Sequence, residues 1–203
     1  MYKIAVFVSG RGSNFKAVYN SIDGSKAQVC AIISDVVNCG AVQFANEKNI
    51  PVFIVKSKLN TDGLSFVNLV DELKKSEVDL IVLAGFLKKV ADEFVEAFEN
   101  KIINIHPALL PSFGGKGMYG HFVHEAVFNS TAKVSGATVH FVDKIYDNGL
   151  IIHQKCVSIG KCTNAEEIAE AVLKVEHEIL PYVVNKFIDD KVKIINNRVI
   201  IED

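Results

Sequence analysis

The chain has 203 residues, 49% of them hydrophobic, which is enough apolar material to fill one sizeable core. Its net charge of −2, with Lys and Arg scattered singly or in pairs among acids, lacks the basic stripe of a nucleic-acid binder. No apolar run approaches the roughly 18 residues of a membrane span, no basic-flanked leader is visible, and Cys30, Cys39, Cys156 and Cys162 show no CxxC spacing, so a cytoplasmic protein without membrane partners is expected.

The first predicted strand, 2–8, runs into Ser9-Gly10-Arg11-Gly12-Ser13-Asn14, and a helix over 14–23 follows. Glycines let a backbone approach an anion closely, and amides at a helix start, with the Ser13 and Asn14 side chains, point at it. The loop reads as a phosphate cradle or as a purely structural turn. It matches neither GxGxxG nor GxxxxGK[ST], which argues against a nucleotide cofactor and against Asp35, after the second strand, as a ribose-binding acid. Strands over 28–34, 52–56, 79–86 and 101–106 alternate with helices over 39–49, 62–76 and 89–98. Short connections imply parallel strands and right-handed crossovers, hence an α/β, doubly wound, Rossmann-like sheet with helices on both faces.

The strand 101–106 ends in Asn104-Ile105-His106-Pro107. Side chains two apart share a face, so a carboxamide and an imidazole project together while Ile103 and Ile105 turn the other way. An amide donor beside a titratable ring can stabilise an oxyanion and supply a proton; a strand-end His beside Pro can equally be structural. Pro111 to Tyr119, with three glycines, reads as a loop that closes over substrate or as an ordinary connection. His121, His124 and Glu125 are read as the polar side of a helix whose face is Phe122, Val123, Ala126 and Val127, rather than as metal ligands. Strands at 136–142 and 150–159 are too close for a crossover helix and should form an antiparallel or mixed edge. His140 sits among apolar residues as a satisfied core histidine, and Asp147 lies in the turn between the two strands, either as a third partner or as part of an ordinary Asp-Asn-Gly turn. A helix over 165–188, disturbed at Pro181, leads to a hairpin at Asn196-Asn197. Its apolar stripe is Ile168, Val172, Val175 and Ile179, and Glu176 borders it.

Taken together, SGRGSNF, the strand Asp79 to Phe86, NIHPALLPSF, SGATVHFVD and the late Val175-Glu176-His177 resemble the glycinamide ribonucleotide transformylase family, the folate-dependent formyltransferases of purine synthesis. The resemblance covers essentially the whole chain and implies one formyltransferase domain over 1–203. It implies 10-formyltetrahydrofolate as co-substrate, with neither metal nor nucleotide cofactor, and small-molecule substrates handled by a monomer or homodimer. Asn104, His106 and Asp147 would be catalytic. Gly12, Ser13, Asn14, Gly85, Pro107 and Glu176 would hold the ribonucleotide, and Leu87, Lys88, Lys89, Val90, Val142, Asp143 and Lys144 the folate. The strand-end rule for open sheets puts Gly10–Asn14, Gly85–Lys89 and Asn104–Pro107 along one edge. The chain departs from the family at Asn148-Gly149, where many relatives have a glycine pair, and at Leu173, where some have a phosphate-binding Lys. A formyltetrahydrofolate deformylase, a methionyl-tRNA formyltransferase and a nucleotide-sensing Rossmann module are the competing readings.

Overall fold

The computed structural model describes residues 1–57 and 60–203. Residues 1–103 cluster as one compact unit and 104–203 as a second.

In the first unit β1 (Tyr2–Val8), β2 (Ala27–Ser34), β3 (Val52–Ile54) and β4 (Leu80–Leu83) alternate with α1 (Ser13–Ser21), α2 (Gly40–Glu47), α3 (Phe66–Lys75) and α4 (Asp92–Ala97). β1 pairs in parallel with β2 on one side and β4 on the other, and β2 pairs in parallel with β3. Every residue from Ile4 to Val8 is fully buried, as expected of a strand covered on both faces. Phe7 meets Phe86 and Phe94 edge-on at 5.2 and 5.5 Å, and Phe94 in turn packs on Phe66 and Phe98, joining α3 and α4 to the sheet. The expected helix over 62–76 begins only at Phe66. Leu64 is claimed by extended pairing, its N–H bonding the Ile54 carbonyl and its carbonyl accepting from Lys56, and Ser65 then caps the helix by accepting from the Asn68 N–H.

β5 (Ile102–His106) straddles the boundary between the units. The second unit continues with α5 (His121–Asn129), β6 (Val134–Phe141), β7 (Ile151–Ser158), α6 (Ala165–Ile188) and the hairpin of β8 (Val192–Ile195) and β9 (Arg198–Ile201). β6 and β7 pair antiparallel, as their short connection requires. One sheet runs in the order β3-β2-β1-β4-β5-β6-β7, with β8-β9 apart. The hairpin turns on Asn196 and Asn197, both at positive φ (51° and 58°), the geometry of a type I′ turn.

Two features anchor α6. Asn164 caps it by accepting from the Glu167 N–H (2.8 Å) while the Glu167 carboxylate accepts from the Thr163 N–H (2.7 Å), so each satisfies a donor of the other's segment. Its predicted stripe is buried. The helix continues through Pro181 as one element: Leu180, Val183 and Val184 are fully buried, and tertiary burial outweighs the lost backbone bond.

Candidate functional site

In the first unit β1 delivers the chain into the glycine loop. Gly12 has φ +73°, and a Cβ there would lie 2.6 Å from the Ala41 Cβ and 2.9 Å from its Cα, so both conformation and packing require glycine. Its carbonyl accepts the Lys16 N–H (2.9 Å), opening α1, and having no side chain it leaves the first-turn amides uncapped by one. Asn14 is buried at the start of the helix. The Ala41 N–H donates to Gly10 (3.1 Å), fastening the start of α2 to the same loop. Beyond β4, Gly85 sits at φ +78°. Leu87 is exposed, Lys88 donates to the Lys56 carbonyl and lies over the Phe66 ring, Lys89 pairs with Asp92 at 2.7 Å, and Val90 is buried. Of these four folate candidates, Leu87 therefore presents a side chain with least local commitment.

In the second unit the end of β5, the end of β6 and the following turn bring Asn104, His106, His140 and Asp147 together. The His106 Nε2 lies 2.8 Å from the Phe113 carbonyl and its Nδ1 3.7 Å from the Asp147 Oδ1. A carbonyl only accepts, so Nε2 carries a proton; Nδ1 faces the carboxylate at ion-pair rather than hydrogen-bond distance. The His140 Nδ1 donates to the Phe141 carbonyl at 2.7 Å, which fixes the tautomer. Burial pushes the His140 pKa down, so the ring is neutral and its Nε2 accepts the Asn104 amide N–H at 3.1 Å. The 3.7 Å from His140 Nε2 to Asp147 Oδ1 is ion-pair range, but a neutral ring makes no ion pair there. Asn104 is thus held with one amide hydrogen committed and the other available.

Asp147 adopts φ 54° and accepts the Gly115 N–H on its Oδ2 at 2.8 Å. A Cβ on Gly114 would sit 2.5 Å from the Leu110 Cδ2 and 3.2 Å from the Asp147 Cβ, so these two side chains occupy space that a side chain at 114 would take. The turn that carries it is built by Asp143, which accepts from the Ile145 N–H (2.8 Å) and the Asn148 amide (3.0 Å). Asn148 therefore closes the turn through its side chain. It also commits the Asp143 carboxylate inside the loop, with Val142 half-buried and Lys144 exposed beside it. Gly149 could not be otherwise, since a Cβ would lie 1.9 Å from the Phe141 carbonyl oxygen.

The sequence reading missed several supports. His140 is a satisfied core histidine, as read, but what satisfies it includes Asn104. Thr138 Oγ1 donates to Ala108 (2.6 Å) and accepts from the Leu110 N–H (3.1 Å) and Gln154 (2.9 Å), pinning the chain after half-buried Pro107. Thr138 and His140, two apart on β6, share a face, and that polar pair in an apolar strand was the available signal. Glu176 is buried on α6, with Leu173 half-buried and Lys174 exposed on the preceding turn. His121 pairs with Glu125 at 2.9 Å on the surface of α5. Among the described residues no cluster of three or more His, Cys, Asp or Glu could hold a metal ion, and no helix is long and apolar enough to cross a membrane.

A family model described as formyl transferase matches residues 2–184. The chain belongs to the formyl transferase family. Within it, the chain is 46% identical over 193 residues to the chloroplastic phosphoribosylglycinamide formyltransferase of Vigna unguiculata, covering 94% of this chain and 62% of that protein. It thus spans less than two thirds of that relative's length. The phosphoribosylglycinamide formyltransferase of Bacillus subtilis is 34% identical over 201 residues, with 98% of both proteins covered. A crystal structure of the enzyme of that name from Anaplasma phagocytophilum superposes with a TM-score of 0.89 at 32% identity, covering all of this chain and 95% of that one.

Proposed function

We propose that this formyl transferase moves the formyl group of 10-formyltetrahydrofolate to the primary amine of glycinamide ribonucleotide, giving formylglycinamide ribonucleotide and tetrahydrofolate in purine synthesis. The observation that carries the reading is the Asn104–His140 and His106–Asp147 arrangement, in which a donor and a titratable ring are both held in place before substrate arrives. Similarity to proteins named phosphoribosylglycinamide formyltransferase supports the acceptor.

In this scheme the amine attacks the formyl carbon and the carbon–nitrogen bond to the folate breaks. The free amide hydrogen of Asn104 faces the negative oxygen that develops. The His106 ring sits beside it, with the Asp147 carboxylate 3.7 Å from its Nδ1. The Asp147 carboxylate also takes the proton lost by the amine and returns it, directly or through water, to the folate nitrogen. Gly12, Ser13 and Asn14 at the start of α1 are assigned to the ribose phosphate, Gly85 and Pro107 to the ribonucleotide, and Glu176 to its ribose hydroxyls. The folate pterin lies against Leu87 to Val90 and Val142 to Lys144, largely through backbone groups given how far the Lys88, Lys89, Val90 and Asp143 side chains are already committed. We further place the chain as one formyltransferase domain, a cytoplasmic monomer or homodimer without nucleic-acid or membrane partners.

The test is tetrahydrofolate release from 10-formyltetrahydrofolate with and without glycinamide ribonucleotide. Release that is slow alone and rises by orders of magnitude with the ribonucleotide, with formyl recovered on its amine, is expected. Rapid formate production indifferent to the ribonucleotide would make the chain a deformylase instead.

A further inference from the structure

Ser9 is the first residue beyond β1, and its three polar bonds reach two other strand ends. Its N–H donates to the Gly85 carbonyl at 3.2 Å. Its hydroxyl donates to the Asp35 Oδ1 at 2.6 Å and accepts the Leu87 N–H at 3.0 Å. Donation to a carboxylate is charge-assisted and short, and it fixes the hydroxyl hydrogen, leaving a lone pair for Leu87. The bonds thus run in one direction, from N–H to O–H to carboxylate, and each polarises the next. Asp35 is itself braced: its carbonyl accepts the Ser57 hydroxyl at 3.2 Å, next to Lys56, whose carbonyl receives the Lys88 ammonium. The ring of bonds therefore closes from Ser9 through residue 35, residues 56–57 and residues 87–88, back to Ser9. Asp35, which stands where a dinucleotide fold carries its ribose-binding acid, is used here to orient a hydroxyl.

We propose that Ser9, oriented by Asp35, is a positioning residue that holds the Gly10–Asn14 loop and the Gly85–Val90 segment in a fixed relation, so that one hydroxyl sets the affinity for both substrates. This rests on the function proposed above, which assigns the ribonucleotide phosphate to the first segment and the pterin to the second. Ser9 contacts neither reacting atom, so its loss is felt in binding. The partners it would abandon, the Leu87 N–H and the Asp35 carboxylate, are not fully buried and can be rehydrated, which leaves the fold intact.

The experiment is steady-state kinetics on the full chain with each substrate varied in turn, for the parent, Ser9→Ala, Ser9→Thr and Asp35→Asn, with the unfolding midpoint of each. Ser9→Ala should raise KM for glycinamide ribonucleotide and for 10-formyltetrahydrofolate together, by about fivefold to tenfold each, the scale of a lost hydrogen bond, while kcat stays within about threefold. Ser9→Thr, which keeps the hydroxyl, should restore both, and Asp35→Asn, which keeps an acceptor but loses the charge, should fall between. A rise in only one KM, or in neither, overturns the proposal, as does a loss confined to kcat. If Ser9→Ala does not fold, Asp35→Asn carries the test with the same two readings. A parent without formyl transfer to the ribonucleotide would instead refute the proposed function.

Discussion

Asn104 is oriented by the His140 ring, which has no chemical role in the proposed scheme, and this makes its contribution separable. Asn104→Ala should lower kcat by about 10²–10³, as loss of an oxyanion donor does, and His106→Ala or Asp147→Asn by roughly 10²–10⁴, as for acid–base groups. His140→Ala should lower kcat by less, because it acts through the amide. The double variant Asn104→Ala/His140→Ala should be no slower than Asn104→Ala, since both changes remove one device. Additive losses would show that His140 has a task of its own. Gly12→Val should raise KM for the ribonucleotide and spare the folate, because Ala41 leaves no room for it and the proposed function assigns the loop to the acceptor alone; matched losses for both substrates would count against separate subsites. The two-residue spacing of Asn104 and His106 was legible because strand geometry makes spacing into direction. The bond between Asn104 and His140 was not, since its partners lie 36 residues apart. Nor were the Phe113 carbonyl and the Gly115 N–H, which are main-chain groups and leave no trace in side-chain identity.

At the scale of elements, α5 carries the clearest pH dependence. His124 is buried with no hydrogen-bond partner on its Nδ1, and burial, aided by His121 and His106, pushes its pKa down to about 4. The unfolded chain binds that proton near pH 6.5 and the folded chain only near 4, so the associated stability is complete above about 6.5 and is lost as pH falls toward 4. Burial lowers the His140 pKa too, so its contribution has the same sign. Thermal midpoints should fall across that window, and His124→Leu should flatten the fall while easing the desolvation of an unpaired nitrogen. An unchanged slope in the variant would mean other groups govern it. Element types followed from periodicity, but element ends did not. The start of α3 moved because Gly63 and Leu64 are taken up against the 54–56 segment, where a Cβ at 63 would meet the Val55 carbonyl carbon at 2.5 Å. α6 survived its proline because Leu180, Val183 and Val184 around it are fully buried.

For the whole molecule, the parallel first part and antiparallel second part were both foreseeable, since connection length alone separates crossover from hairpin. Family membership fits with that architecture. What no pattern revealed was the position of the boundary between the two units, inside β5, with Ile102 and Ile103 on one side and Asn104, Ile105 and His106 on the other. This bears on how gene segments from relatives can be exchanged. A crossover at the boundary itself would join two half-strands from different parents, whereas one upstream of Lys101 keeps β5 whole. Asn104, His106, His140 and Asp147 then travel on one fragment while Gly12 to Asn14 stay on the other. Chimaeras recombined at that upstream junction should inherit their acceptor phosphate preference from one parent and their formyl chemistry from the other.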